Sequence, residues 1–156
     1  MEEPKSIRDV QKLTGRIAAL NKFIPRSADR NLTFFKVLRN ANKFEWGLEQ
    51  SEALQALKNH LQNMVKITSP NPKDVLLLYI MASYSVVSAA LALEREIEGK
   101  KKQLPVYFVS EALACSKLLY SELEKIAYVV VMSAEKLRHY FEAHKIIAVT
   151  DQPLYD

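Results

Sequence analysis

Apolar residues recur at helical intervals in the first part of the chain and, past a double proline, in unbroken runs. Ile7, Val10, Leu13, Ile17 and Leu20 are spaced three, three, four and three positions apart, which is one face of a helix. Ser6 stands where its side chain can cap the first amides, with Asp9 three residues on in the manner of a capping box. Pro25 ends the segment, because the residue before a proline avoids helical geometry. A short helix is expected from Asn31 or Thr33 through Arg39, with Leu32, Phe35 and Leu38 inward. Phe44-Glu45-Trp46 reads as extended. A third helix, about Glu49 to Asn63, turns Ala53, Leu54, Leu57 and Leu61 inward. Trp46 should plug the corner between these helices, its indole N–H in need of an acceptor.

Ser69-Pro70-Asn71-Pro72-Lys73 is the clearest boundary, since two prolines forbid helix and favour an extended connector. Val75–Ile80 is then continuously apolar, as expected of a strand buried on both faces. Val86–Leu93 is a second strand, with helix as the alternative on account of its alanines. Glu94–Gln103 is charged, contains Gly99 and reads as a solvated hairpin turn. Val106–Val109 gives a third strand. Ser116–Tyr140 reads as one long helix with Leu119, Leu123, Ile126, Val130, Leu137 and Tyr140 on one face and Ala134 between. Ile146–Val149 is a fourth strand, closing on Thr150-Asp151. The order predicts an α+β fold: a helical subdomain over residues 1–68, then a mixed β-sheet with a long packed helix over 69–156. Its first three strands are antiparallel neighbours, and the fourth is parallel after a crossover.

The 156 residues are 49% apolar, enough for a packed core. Charge is uneven: residues 1–69 hold 12 Lys/Arg against 7 Asp/Glu, net +5, whereas residues 70–156 hold 10 against 11, net −1. A polyanion-facing front half follows. The single cysteine, Cys115, excludes a disulfide framework and a thiolate zinc site, and fits a reducing, intracellular compartment. Met1-Glu2-Glu3-Pro4 is unlike a signal peptide. The apolar runs Val75–Ala82 and Ile126–Ala134 are too short to span a bilayer, so no membrane partner is expected. Three isolated glycines exclude a phosphate-cradling loop. His139 and His144 are five apart, not the four of a zinc pair on one helix. Lys100-Lys101-Lys102 reads as a charged hairpin tip.

Six segments, in order, carry a resemblance. They are Val10 to Arg26; Phe44-Glu45-Trp46 with the helix after it; the strand around Leu78-Tyr79; Pro105 to Ser110; Glu135 to Phe141; and Val149-Thr150-Asp151-Gln152-Pro153-Leu154. Together they resemble plant gypsy-class LTR retrotransposon polyproteins, from the thumb of the reverse transcriptase into an RNase H-like region. The resemblance implies a thumb-like helical subdomain and an incomplete RNase H-like sheet. It implies that the first helix lies along the minor groove of an RNA–DNA or DNA duplex. Gln11, Gly15 and Ala19 match the groove-facing positions, and their spacing of four does place them on one helical stripe. Gln can hydrogen-bond base edges or sugar, and Gly permits close approach. Lys12, Arg16, Lys22 and Arg26 flank the stripe and would meet phosphates.

Active relatives hold two Mg²⁺ ions on clustered carboxylates. In this chain the first acid aligns with Met81 and the second with Ile126, neither of which can bind a hard cation. Glu124 lies two residues before Ile126, roughly 200° around a helix, and points elsewhere. Asp151 matches the third acid, and a fourth would fall beyond Asp156. The expectation is a degenerate, connection-type unit with no catalytic residues, no metal and no cofactor. It would contact template–primer and tether polymerase to nuclease, with the remaining reverse transcriptase domains as partners. The alternatives are an active Mg²⁺-dependent RNase H completed by other residues or chains, and a protein-interaction domain.

Overall fold

The computed structural model describes residues 2–39, 44–63 and 66–151. Three helices come first: α1 (Ile7–Ala19), α2 (Ser27–Arg39) and α3 (Leu48–Gln62). Ser6 caps α1, its hydroxyl accepting from the Asp9 amide at 3.2 Å while donating to the Asp9 carboxylate at 2.8 Å. A 3-10 turn, Asn21–Phe23, follows α1 ahead of Pro25. Val10, Leu13, Ile17, Ile24, Phe34, Val37, Leu54 and Leu57 form the core of this lobe. Trp46 closes it as expected. Its ring stacks on Phe34 at 5.9 Å, and its Nε1 donates to the Ser51 hydroxyl at 3.0 Å.

The second helix departs from the expected face. It begins at Ser27 and buries Asn31, Phe34 and Val37, whereas Phe35 is exposed and Leu32 and Leu38 are half-buried. The apolar triplet read from the sequence is one position out of phase. Phe34 takes the inner position, where its ring stacks on Trp46.

The sheet follows with β1 (Leu76–Ala82), β2 (Val86–Ile97) and β3 (Lys100–Ala112), antiparallel in succession, and β4 (Ile146–Val149) parallel to β1. The strand order is β3-β2-β1-β4, so the expected mixed sheet is present. Glu94–Gln103 is mostly strand rather than loop. Only Glu98 and Gly99 turn, at φ 54° and 72°, and Ile97 already pairs with Lys100. Two left-handed residues match the twist of a tight hairpin, and Gly99 adopts that conformation without penalty. Pro105 is tolerated in β3 because β3 is an edge strand. Leu91 faces Tyr107 and Ala92 faces Pro105, so Val106 is the extra residue of a bulge.

Residues 116–140 are not one helix. A 3-10 turn (Cys115–Leu119) is followed by α4 (Glu122–Lys136) and α5 (Arg138–Ala143). Ser121 starts α4 through a full capping box: it accepts from the Glu124 amide at 3.3 Å, and the Glu124 carboxylate accepts from the Ser121 amide at 2.7 Å. That fresh start takes Leu119 off the inner face, leaving it 88% exposed, and Leu123 is exposed too. Ile126, Val129, Met132 and Ser133 are the buried side, with Lys125, whose ammonium donates to the Tyr84 carbonyl at 3.0 Å.

Alternation sorts the sheet into two faces. Leu76, Leu78, Val87, Ala89, Leu91 and Leu93 pack with Val129 and Met132 of α4. The opposite face carries Tyr79, Met81, Ser88, Ala90, Phe108 and Ser110. Against it lie α2 and the first 3-10 turn, over β3 and β2, with the Ala28 amide donating to the Ser110 hydroxyl at 3.1 Å. Burial on both faces therefore belongs to β2, where Val86–Ala89 and Leu91–Leu93 are covered, and not to β1, where it was expected. The helical lobe stops short of β1.

Candidate nucleic-acid interface

Two surfaces collect the residues singled out in the sequence. The first is the outer side of α1. Val10, Leu13, Thr14 and Ile17 are buried, so Gln11, Gly15 and Ala19 necessarily face outward, as do Lys12 and Arg16. Lys22, in the 3-10 turn, is exposed as well, its ammonium 4.9 Å from the Phe23 ring centroid. A methyl built on Gly15 would meet nothing within 4 Å, so the surface there is open. Lys12 stands 3.9 Å from Asp9, both well exposed, a pairing too weak to neutralise it. The Asp9 carboxyl is held below its usual range by the Ser6 hydroxyl first and the Lys5 amide second. Glu2, Glu3 and Asp9 share a cavity of about 410 Å³ with Lys5, Lys12 and Arg16, so charge at the start of α1 is mixed.

The second surface is a cavity of about 340 Å³ on the sheet face that the helical lobe leaves open. Tyr79, Met81, Ser88, Ala90 and Phe108 line it from the sheet, Val149, Thr150 and Asp151 from the end of β4, and Pro25 and Arg26 from the turn before α2. Met81 and Asp151, far apart in sequence, meet here. Ile126 does not line this cavity; it is 4% exposed, near the start of α4. Arg26 also differs from its expected place beside Lys22 on the α1 surface. Its backbone is left-handed, φ 54°, and its Nε donates to Asp29 at 2.7 Å.

The metal-binding potential of this cavity is poor. Its charged groups are one carboxylate, Asp151, and one guanidinium, Arg26, with the Met81 thioether beside them. Mg²⁺ prefers several oxygen ligands in near-octahedral geometry. Among the described residues, no three His, Cys, Asp or Glu side chains stand together to hold a metal ion. The residues present do not fit a two-metal centre.

The strongest electrostatic cluster escaped the sequence reading. Glu111 on β3 accepts from the Tyr128 hydroxyl at 2.6 Å, from Lys117 at 3.0 Å and from Lys136 at 3.0 Å. Lys117 also donates to the Tyr128 oxygen and lies over its ring. Partial burial opposes the Glu111 charge, but hydrogen bonds from Tyr128, Lys117 and Lys136 prevail and pull its pKa down to about 2. The Tyr128 and Glu111 contacts raise that of Lys117. These four residues come from β3, the turn before α4 and α4 itself, so no local spacing announces them.

A mixed sheet of this order, with a helix between its third and fourth strands, is the core of an RNase H-like fold. The family model for the RNase H-like domain found in reverse transcriptase matches residues 46–148, and the chain belongs to that family. The Tf2-3 and Tf2-4 transposon polyproteins of Schizosaccharomyces pombe are each 24% identical over 142 residues, 91% of this chain and 10% of theirs. The chain thus spans about a tenth of the length of these curated relatives. Among solved structures, the foamy viral protease-reverse transcriptase in complex with dsDNA superposes with a TM-score of 0.73 at 14% identity, over 97% of this chain and 32% of that one. The same enzyme in complex with an RNA/DNA hybrid gives 0.71 at 14%, over 97% and 20%. At that identity the likeness carries the fold.

Proposed function

We propose that the chain is a non-catalytic section of a gypsy-class LTR retrotransposon reverse transcriptase, of the plant type its sequence resembles. It acts inside the cell, gripping the template–primer duplex and linking polymerase to nuclease. The carrying observation is the outward stripe of α1: Gln11, Gly15 and Ala19 aligned and uncovered, with Lys12, Arg16 and Lys22 beside them. A helix bearing one amide, one bare backbone position and one methyl can approach a minor groove closely while its cations meet phosphates. Relatives of the same fold hold dsDNA and an RNA/DNA hybrid, which makes those duplexes the ligands to test. The non-catalytic part rests on the donor set, since Asp151 alone cannot organise two cations.

Anisotropy titration of a labelled RNA–DNA hybrid across salt concentrations tests the grip. Three phosphate contacts predict a log–log slope near −2.7, at about 0.9 per contact, and Lys12→Gln or Arg16→Gln should each remove about one unit. Binding insensitive to salt would instead favour a protein-interaction domain. The same hybrid incubated with Mg²⁺ should stay intact. Cleavage above background that Asp151→Asn abolishes would establish the active-nuclease alternative.

A further inference from the structure

We infer that the open sheet face between Tyr79 and Phe108 is a slot for a single unpaired nucleobase, with Arg26 on its phosphate and Asp151 on its amino edge. The inference deepens the duplex-gripping reading and rests on it. It adds a second, base-dependent contact, for a strand end or a displaced nucleotide.

Register supplies the slot. Tyr79, Ala90 and Phe108 form one row across β1, β2 and β3, and Met81, Ser88 and Ser110 form the next. The two rings thus stand on strands two spacings apart, roughly 9–10 Å, with only a methyl between them. A base entering over Ala90 would have one aromatic residue on either side of it, on the two strands that flank β2. The cavity at this place, about 340 Å³, suits a small planar ligand. Met81 sits beside the row, half exposed, and a polarizable sulfur makes favourable contact with ring edges.

The polar groups are placed at the rim. Asp29 holds the Nε of Arg26, which orients the guanidinium and leaves both terminal nitrogens to donate to a phosphate. Arg26 is half exposed and holds a left-handed backbone that side-chain-bearing residues seldom adopt. Asp151 is exposed on the β4 side and is acceptor-only when ionised. It favours cytosine, adenine or guanine, which carry exocyclic amines, over thymine. Aromatic side chains on neighbouring strands of an open sheet are a general way to seat single-stranded bases.

The test compares three labelled probes by anisotropy: a blunt RNA–DNA hybrid, the same hybrid with a short oligo-dC extension, and one with an abasic extension of equal length. The dC extension should tighten binding about tenfold over blunt, and the abasic one much less, because stacking needs the base. The dC-to-blunt ratio should collapse towards one in Phe108→Ala and in Ala90→Leu, which fills the slot. It should fall partly in Arg26→Gln. 2-Aminopurine placed in the extension should be quenched on binding to the unaltered chain. Equal gain from dC and abasic extensions, measured on the unaltered chain, would overturn the slot whatever the folding of the variants. So would a gain retained by a folded Ala90→Leu. If the blunt hybrid binds with the expected salt slope and the base adds nothing, the slot alone fails. If the blunt hybrid does not bind while oligo-dC still does and is quenched, the duplex reading fails and the slot stands.

Discussion

Among the described residues, the helical lobe has a core of eight buried apolar side chains, Phe34 among them, and the sheet lobe one of twelve, Leu91 among them. Their polar interiors differ more. Asn21 Oδ1, Arg30 Nε, Asn31 Oδ1 and His60 Nε2 are buried in the helical lobe with no hydrogen-bond partner among the described residues, against Ser133 Oγ in the sheet lobe. Burial, followed by the charge of Arg30, pushes the His60 pKa down, so this interior resists a further proton. The same lobe carries the excess positive charge, net +5 over residues 1–69, which repels itself. The sheet lobe instead pins its edge strand to α4 and the turn before it through Glu111 and three donors. The excess positive charge thus sits on the lobe with more unpartnered buried polar atoms, and the sheet lobe has the more complete polar network.

The largest effects should come from cutting each core. Phe34→Ala should cost about 3–5 kcal/mol and Leu91→Ala about 2–5, read by urea denaturation. Their reach should differ. Phe34→Ala should release amide protection over α1, α2 and α3 while the sheet stays protected. Leu91→Ala should release both lobes, because β2 touches α4 on one side and α2 on the other. Uniform loss of protection after Phe34→Ala would mean the lobes are one cooperative unit, and the contrast between them would dissolve.

An intermediate effect is expected at Glu111. Its folded pKa of about 2 lies below the ordinary 4.5, so its stabilisation is complete above pH 4.5 and is lost as pH falls towards 2. Glu111→Gln should cost at most roughly 3 kcal/mol at pH 7. The gap from the unaltered chain should close between pH 4.5 and 2. A gap independent of pH would show that Glu111 acts through packing alone.

Smallest are the two caps. Ser121→Ala breaks a reciprocal capping box, whereas Ser6→Ala leaves Asp9 still holding the Lys5 amide at 3.3 Å. Both should cost about 1 kcal/mol, Ser121 the more, by thermal denaturation. The reverse order would place the greater cap dependence in the helical lobe.

Much of the architecture was legible in the residues. The spacing from Ile7 to Leu20 marked α1, Ser6 marked its start, Trp46 marked the corner, and the strand series with its parallel fourth member was readable. So was the exposure of Gln11, Gly15 and Ala19, because the buried stripe of α1 leaves them no other side. The phase of α2 was not legible, since Leu32, Phe34, Phe35, Val37 and Leu38 offer two overlapping apolar faces and only tertiary packing, against α1, α3 and the sheet, chooses between them. Nor was the break at Tyr120-Ser121, where a local cap outweighs continued apolar periodicity.

Local periodicity and capping chemistry, written in the chain itself, determined most of the helices and strands and which side of α1 faces out. Tertiary structure decided which distant groups meet: Met81 with Asp151 and Arg26 in one cavity, and Glu111 with Tyr128, Lys117 and Lys136 in one network. The physical reason is range. Backbone hydrogen bonds and apolar periodicity act over a few residues and are recorded in sequence order. The facing of a cavity depends on which face of β1 the helical lobe leaves uncovered, and that is settled only when the two cores pack.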